Sequence, residues 1–418
     1  MVTDTFEPAT QEKYKDSPLW KPWMAQFRLF RITSLEELKE YLEKNSTAQC
    51  VAWDVETTSL NPTPDTICGH CLSFDGREAV YIPVRHKTNP EKNLDPQLVW
   101  DMIRPVMDRM VVLVWNLMFE GKLARRYQWE RPTQLTHWHD TMVTRWLWDP
   151  DDKQIGLKDS CKRITQHEML EIHEVPGVFW TEKVKTGKST NTVKHLDFSK
   201  SDPDDAVLYA AADPLFTHQL DAFLHPLVQK EQQFIQNLEH QLLDVLLDME
   251  QNKVFIDRAF LMQAGRDLTL WASIIAQQIF EMVGREFDLG SPAKVGEVLA
   301  EKGVNLGRTK TGKLCTAAKE IEKLAGEHPI IDLILYHRSL IKENSTYVSP
   351  LLAATSDEDP YTSFKFKSVG APTGRFSSGG ATEEEDFAEM NAQSIPGADA
   401  YKNVTTRVIR NPPAHLVA

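Results

Sequence analysis

Seven residues, Cys50-Val-Ala-Trp-Asp-Val-Glu56, constrain this chain more than any other stretch. Their apolar, β-branched and aromatic side chains mark a buried strand, and Thr66-Ile-Cys-Gly-His-Cys-Leu-Ser-Phe74 reads as a second. Side chains alternate between the faces of a strand, so Asp54 and Glu56 share one face while Val55 points the other way. Two acids side by side on an apolar strand repel each other, and loss of water makes that repulsion costly. Either the pair looks out at solvent from a sheet edge, or a divalent cation taking hard oxygen ligands neutralises it.

The surrounding text is α/β. Ser34-Leu-Glu-Glu-Leu-Lys-Glu-Tyr-Leu-Glu43 opens on a Ser cap, has an acid three residues on, and repeats apolar residues at helical spacing. Residues 78–84 and 111–115 predict further strands, a helix follows from Phe119, and residues 206–223 predict another. One α/β domain is expected over 29–228, after a polar, Trp- and Pro-spotted segment, 1–28, with no clear period. From residue 229 the texture changes. Residues 234–251 place Leu238, Leu242, Val245, Leu246 and Met249 at helical spacing, 261–284 read as another helix, and two more helices flank a basic stretch. An all-helical domain is expected over 229–355, followed by an irregular segment, 356–418.

Charge and cysteine content bound the function classes. Lys plus Arg total 47 against 60 Asp plus Glu, a net charge of −13 that argues against a histone-like coat for nucleic acid. The charge is segregated, however: Lys302, Arg308, Lys310, Lys313 and Lys319 occur with no acid among them, whereas residues 383–389 hold five acids and no base. Five cysteines argue against a disulfide framework and for a reducing compartment. Cys68-Gly-His-Cys71 has no second pair at zinc spacing and reads as strand. No apolar run approaches the ~20 residues of a membrane helix, and the start, Met1-Val-Thr-Asp-Thr-Phe-Glu, lacks the pattern of a signal peptide. A cytoplasmic protein without membrane contact is expected.

A single Asp-x-Glu cannot hold two metals, so further acids are sought elsewhere. In Trp115-Asn-Leu-Met-Phe-Glu120, Asn116 and Glu120 lie one helical turn apart just past a buried strand. In Tyr209-Ala-Ala-Ala-Asp213, the Tyr and the Asp are expected on one helix face. They could be an ordinary surface pair, but so Ala-rich a helix suits close approach to another element. With Asp54-Val-Glu-Thr-Thr-Ser-Leu60, these segments resemble the DEDD exonuclease superfamily in its Tyr-containing form, as found in family A (bacterial polymerase I-like) DNA polymerases. The family motifs read Asp-x-Glu-Thr-Thr-Ser-Leu, Asn-x-x-x-Asp and Tyr-x-x-x-Asp.

The resemblance implies a ribonuclease H-like α/β domain, a mixed sheet with flanking helices, that removes nucleotides from 3′ ends. In that reading Asp54, Glu56, Glu120 and Asp213 hold two Mg²⁺ (or Mn²⁺) ions and Tyr209 orients the attacking water. Thr57, Leu60, Asn116 and Phe119 bind the single-stranded 3′ end. One departure stands out: Glu120 occupies the place of the family's Asp, one methylene longer in chemistry sensitive to shifts of ~1 Å.

Downstream, Phe287-Asp-Leu-Gly-Ser-Pro-Ala-Lys-Val-Gly-Glu-Val-Leu299, Thr309-Lys-Thr-Gly312 and the stretch ending Asn344-Ser-Thr-Tyr347 resemble the thumb segments that grip primer–template duplex. The resemblance assigns phosphate-type contacts to Thr309, Lys310, Lys313, Asn344, Ser345, Thr346 and Tyr347. Without it, the basic stretch would read as a solvated helix face. Thr373-Gly-Arg-Phe-Ser-Ser378 and Asn391-Ala-Gln-Ser-Ile-Pro396 resemble the opening of the palm, adding Arg375, Asn391 and Gln393 to the duplex contacts. An all-α thumb and an incomplete α+β palm are thus implied. Residues 406–418 resemble the lead-in to the first polymerase carboxylate motif, Asp-Tyr-Ser, which the 418 residues do not contain.

Three readings follow. The chain is the N-terminal part of a polymerase, completed by a second chain that carries the rest of palm and fingers; or a freestanding 3′→5′ exonuclease; or a DNA-holding subunit impaired at Glu120. The first is favoured, in the cytoplasm of a bacterium or a phage-infected cell. Two other segments are set aside. Thr186-Gly-Lys-Ser189 looks like the end of a phosphate-binding loop, but Glu182 stands where its first Gly must be and no strand is expected before it. His137-Trp-His139-Asp140 admits a metal cluster, yet the stretch from Asp140 resembles the family's segment after the second motif, which implies packing and substrate shaping.

Overall fold

The computed structural model describes residues 14–58, 63–126, 137–186, 189–228, 230–309, 311–379 and 391–394. The chain divides into two compact units, one running to Met249 and including Phe366–Ser377, the other holding Glu250–Lys365 and the described residues from Ser378 on.

The first unit is built on a six-stranded mixed sheet. Its strands are β1 (Arg28–Arg31), β2 (Cys50–Thr57), β3 (Ile67–Ser73), β4 (Glu78–Pro83), β5 (Val111–Val114) and β6 (Trp138–Asp140), in the order β1-β4-β3-β2-β5-β6. β2, β3 and β4 form an antiparallel meander, β5 and β6 extend it in parallel beyond β2, and β1 runs parallel to β4 at the other edge. The edge strands β1 and β6 are too short to show an alternation in the sequence.

Each face of the sheet has its own core. On one, Val51, Trp53 and Val55 of β2 meet Leu38 of α1 (Leu35–Lys44), Val99 and Ile103 of α2 (Pro96–Met107), Leu123 of α3 (Leu117–Arg126) and Val143 of α4 (Thr141–Trp148). The sequence-expected cap of α1 forms: Ser34 Oγ accepts the Glu37 N–H at 3.1 Å, and Glu37 reaches back to the Thr33 N–H at 2.7 Å. On the other face, Cys68, Cys71 and Tyr81 meet Cys161 of α5 (Leu157–Thr165) and the small and aromatic residues of α6 (Pro203–Ala210) and α7 (Ala212–Leu224). Tyr14, Leu19, Trp23 and Met24 join this second core, with the Trp23 ring 4.9 Å from that of Phe216. Segment 14–24 therefore belongs to the fold, although its irregular backbone leaves no period to read.

Residues 206–223 are not one helix. Pro214 has no N–H to offer the Ala210 carbonyl and its ring crowds that carbonyl, so the helix breaks at Ala211 into α6 and α7. Two further strands, β7 (Phe179–Thr186) and β8 (Ser189–Leu196), pair as an antiparallel hairpin. A strand thus does enter Thr186-Gly-Lys-Ser189, but a strand also leaves it, and a phosphate-binding loop requires a helix there. The long helix α8 (Lys230–Asn252) buries Leu243, Leu246 and Leu247 in the first core.

The second unit is mostly helical. α9 (Arg258–Val283) starts on Asp257, whose side chain accepts the Phe260 N–H, and ends at Gly284 with φ 86°. α10 (Pro292–Glu301), α11 (Ala318–Glu322) and α12 (Pro329–Glu343) follow, then a π-helical turn at Asn344–Val348 and α13 (Ser349–Ala353). A two-residue pair, Val254–Phe255 with Tyr361–Thr362, adds a short antiparallel ladder. Among the described residues no helix is long and apolar enough to cross a membrane.

Candidate active site

The site grows from the centre of the sheet. Asp54 and Glu56 project from β2 on the face away from Trp53 and Val55, opposite Cys71 and Gly69 of β3. A register shift between Glu56 and Thr57 puts Thr57 opposite Ile67, and the resulting bulge sends Cys68 and Cys71 into the same core although they are three residues apart. Gly69 is required here: a Cβ at this position would stand 2.3 Å from the Tyr81 ring.

The helix that covers this face can approach closely because Ala206, Ala210, Ala211 and Ala212 are small and buried. The break at Ala211 sets Asp213 in the first turn of α7. Carboxylate oxygens of Asp54, Glu56 and Asp213 all lie within 4.8 Å of one another. Burial, and then the charge of Asp213, hold the Asp54 carboxyl well above its usual range; burial and Asp54 do the same to Glu56. Asp213 is pushed up to about 6, chiefly by burial. The edge-of-sheet alternative for the Asp54/Glu56 pair is thereby excluded, since β2 is a central strand.

Glu120, in the first turn of α3, is 2% exposed, and burial followed by the Asp54 charge raises its carboxyl well above the ordinary range. Its oxygens are not part of the 4.8 Å cluster, so it borders the acid pool rather than sharing its centre. Glu120 Oε2 and Asp213 Oδ1 are buried without a hydrogen-bond partner. Orphaned, crowded carboxylate oxygens are the donor set that hard divalent cations take, so the residues present fit Mg²⁺ or Mn²⁺.

Tyr209 is buried beside the pool, and burial together with the Glu56 and Asp213 charges raises its hydroxyl, which keeps its proton. Lys158 of α5 was not legible as a site residue. Its Nζ stands 4.5 Å from the Tyr209 ring centroid and 3.5 Å from the hydroxyl, and its charge partly offsets the burial of Asp54, Glu56 and Asp213. No local pattern marks it, because the fold alone brings α5 to the site.

Asn116 has φ 81°, a left-handed backbone rare outside Gly. The fully buried Asp140 carboxylate holds it there, accepting the N–H groups of Asn116 at 3.0 Å, Leu117 at 2.8 Å and Met142 at 2.9 Å. That turn launches α3, so Asp140 positions both Asn116 and Glu120. Thr57 and Phe119 are half-buried near these segments, whereas Leu60 lies outside the described residues.

In the second unit, Thr309 and Lys313 are exposed on a tight turn closed by Thr309 N–H to Lys313 O at 2.8 Å, with Gly312 at φ 80°. Lys310 and residues 383–389 lie outside the described residues. Asn344, Ser345 and Thr346 form the π-helical turn; Tyr347, in the same turn, is buried and faces the core rather than solvent. Asn391 Oδ1 accepts from Ser378 Oγ at 2.8 Å and from the Gln393 N–H at 2.9 Å. Arg375 is exposed within Phe366–Ser377, which belongs to the first unit.

Comparison with known proteins agrees with the fold. Residues 29–229 match the 3'-5' exonuclease domain family, and residues 258–411 match DNA polymerase family A. DNA polymerase I of Synechocystis is 27% identical over 381 residues, covering 87% of this chain and 35% of that protein. DNA polymerase I of Rhizobium leguminosarum is 26% identical over 413 residues, covering 93% and 38%. The Geobacillus stearothermophilus enzyme is 34% identical over 194 residues, 46% of this chain and 20% of its own length. The chain therefore spans little more than a third of the longest-matching of these relatives. A solved structure, the POL domain of Pol1 from M. smegmatis in complex with DNA primer-template and dNTP, shares the fold with a TM-score of 0.63 at 17% identity, over 91% of this chain and 58% of that one. An exonuclease domain at 29–229 joined to part of a polymerase domain at 258–411 makes this chain a member of DNA polymerase family A.

Proposed function

We propose that the chain hydrolyses DNA from 3′ ends, one nucleotide at a time, at the acid pool of the first unit. The observation that carries this reading is the convergence of Asp54, Glu56 and Asp213 within 4.8 Å in a buried setting that raises all three carboxyls. Such a cluster is unfavourable by itself and is relieved by divalent cations, which when bound activate water and stabilise the leaving 3′ oxygen. Asp54, Glu56, Asp213 and, from the border, Glu120 hold two such ions. Tyr209, kept protonated by burial and its acidic neighbours, orients the attacking water through its hydroxyl. Lys158, beside Tyr209, meets phosphate charge as it enters. Thr57, Leu60, Asn116 and Phe119 receive the frayed 3′ nucleotide, with Asn116 preset by Asp140.

The remaining elements hold primer–template duplex through Thr309, Lys310, Lys313, Asn344, Ser345, Thr346, Arg375, Asn391 and Gln393, with Tyr347 supporting its turn from the core side. Template-directed synthesis additionally requires the Asp-Tyr-Ser carboxylates, which these 418 residues do not carry; a second chain carrying the rest of palm and fingers is one way to supply them. Support for the duplex-holding role comes from the primer–template bound by the M. smegmatis protein of like fold.

Digestion of a single-stranded oligonucleotide with Mg²⁺ tests the central reading. Release of mononucleotides that stops in EDTA and in Asp54→Ala is expected; digestion that survives either condition sinks the assignment. One observation favours a second reading: Glu120 stands outside the oxygen cluster. On that reading the chain binds DNA but releases nothing with either Mg²⁺ or Mn²⁺. Primer extension by the chain, by a piece bearing the Asp-Tyr-Ser motif, and by their mixture tests the two-chain arrangement.

A further inference from the structure

Another cluster of metal-ligating side chains lies in the first unit, apart from the acid pool. His139 of β6, Asp221 of α7 and His225, in the turn that follows α7, bring one ligand atom each to within 4.8 Å of the others. His139 Nε2 is 2.9 Å from Asp221 Oδ1 and 2.8 Å from Thr144 Oγ1, contacts that a bound ion would replace, and the His139 and His225 rings are 5.2 Å apart. Asp213 and Asp221 are eight residues apart on one helix, ~12 Å at 1.5 Å per residue, so one ion cannot serve both clusters.

The neighbourhood defines the ligand set. His240 also packs against His139, at 5.0 Å between rings, but its Nε2 accepts the Asp140 N–H at 3.0 Å and is committed to that bond. His218, on the same helix, lies 3.5 Å from Cys50 Sγ and is occupied there. His225 is exposed and His139 and Asp221 are partly so, which gives an ion a path in from solvent.

We propose that His139, Asp221 and His225 form a binding site for a transition-metal cation of the Zn²⁺ class. Two imidazoles and one carboxylate are three of the four ligands of a tetrahedral zinc site, with water completing it. Nitrogen donors select such ions over Mg²⁺, which prefers an all-oxygen octahedron. The acid pool has the opposite donor set, so the two sites sort different metals. Bound here, the ion ties the end of β6 to the end of α7. His139 is followed by Asp140, whose carboxylate fixes Asn116 and the start of α3, so the ion braces the turn that carries Glu120.

Zinc titration of the full chain against a chromophoric chelator, with millimolar Mg²⁺ present, tests the proposal. The expected result is one tight Zn²⁺ per chain, retained by Asp54→Ala and weakened by about 100-fold or more in His225→Ala. Because His225 is exposed, that variant should melt in EDTA at the wild-type temperature. Asp221→Asn should weaken zinc as well, and Zn²⁺ should raise the melting temperature of the wild type but not of His225→Ala. Binding that persists in His225→Ala, that disappears in Asp54→Ala, or that is absent from the wild type would overturn the site and leave His139 and Asp221 as a hydrogen-bonded pair.

Discussion

Replacing Asp213 with Asn should stabilise the metal-free protein while abolishing the 3′ nucleotide release proposed above. Burial chiefly raises the Asp213 carboxyl from 3.8 to about 6 in the folded chain. A carboxyl with a raised folded-state value binds its proton more tightly folded than unfolded. Its contribution is fully present below about pH 4 and is lost as pH rises through about 6. Above that, the wild type carries a charge that costs about 3 kcal/mol, from roughly two pKa steps of 1.36 kcal/mol each. Asn keeps the shape of the side chain and removes the charge, so about 3 kcal/mol is an upper bound, reduced where the new amide lacks partners. For a domain of this size that is ~6–12 °C in melting temperature. Melting curves of both proteins in EDTA, from pH 4 to pH 8, measure it. The variant should melt higher at pH 8, the difference should close towards pH 4, and saturating Mg²⁺ should reverse the order by stabilising only the wild type. Equal melting at pH 8 in EDTA, or an advantage that stays constant with pH, would refute the view that the acid pool is held together against its own repulsion.

Glu120→Asp restores the family's shorter side chain and should hold or raise the rate of 3′ nucleotide release; a loss of more than about tenfold, ~1.4 kcal/mol, would show that the site has adapted to Glu. Gly69→Ala places a Cβ 2.3 Å from the Tyr81 ring, and should cost about 1–3 kcal/mol, read as a lower urea midpoint at unchanged slope. Asp140→Ala removes the acceptor of three backbone N–H groups and should lower both stability and activity, with a loss of about 2 kcal/mol or more on the hydrogen bonds to a charged group; a variant melting like the wild type would show that Asn116 holds its backbone unaided. Lys313→Ala should weaken binding to duplex DNA uniformly across sequences and reduce the salt slope by about one unit; an unchanged slope would remove Lys313 from the phosphate contacts.

What the sequence disclosed and what it withheld divide along a physical line. Asp54 and Glu56 were legible because a strand's two-residue period is local: the apolar residues on either side say which face each acid takes. Glu120 and Asn116 were legible as a pair because a helical turn joins them, but the left-handed backbone of Asn116 was not, since its cause is Asp140, 24 residues away. Tyr209 and Asp213 were read as one helix face, and the break between them could have been read too. Pro214 stands in plain view and forbids the Ala210 hydrogen bond. The break leaves Asp213 in the first turn of a new helix, with its carboxylate beside those of Asp54 and Glu56.

Lys158 and the His139, Asp221 and His225 cluster mark the other side of that line. Neither is encoded as a set: Lys158 lies 51 residues from Tyr209, and although Asp221 and His225 are one helical turn apart and His137-Trp-His139-Asp140 admits a metal, His139 lies 82 residues from Asp221. Their meeting depends on how helices settle on the sheet, a matter of packing rather than period. The same packing gives α7 two roles. Its first turn delivers a carboxylate into a pool of oxygens, and its last turn delivers Asp221 to a pair of imidazoles. Because one rigid helix connects the two, a cation that fixes Asp221 also restrains the axis on which Asp213 sits. On the proposal above, the acid pool and the imidazole cluster are therefore linked through α7 though they share no side chain. Zinc bound at the second should narrow the range of positions open to Asp213, and it should do so without entering the acid pool.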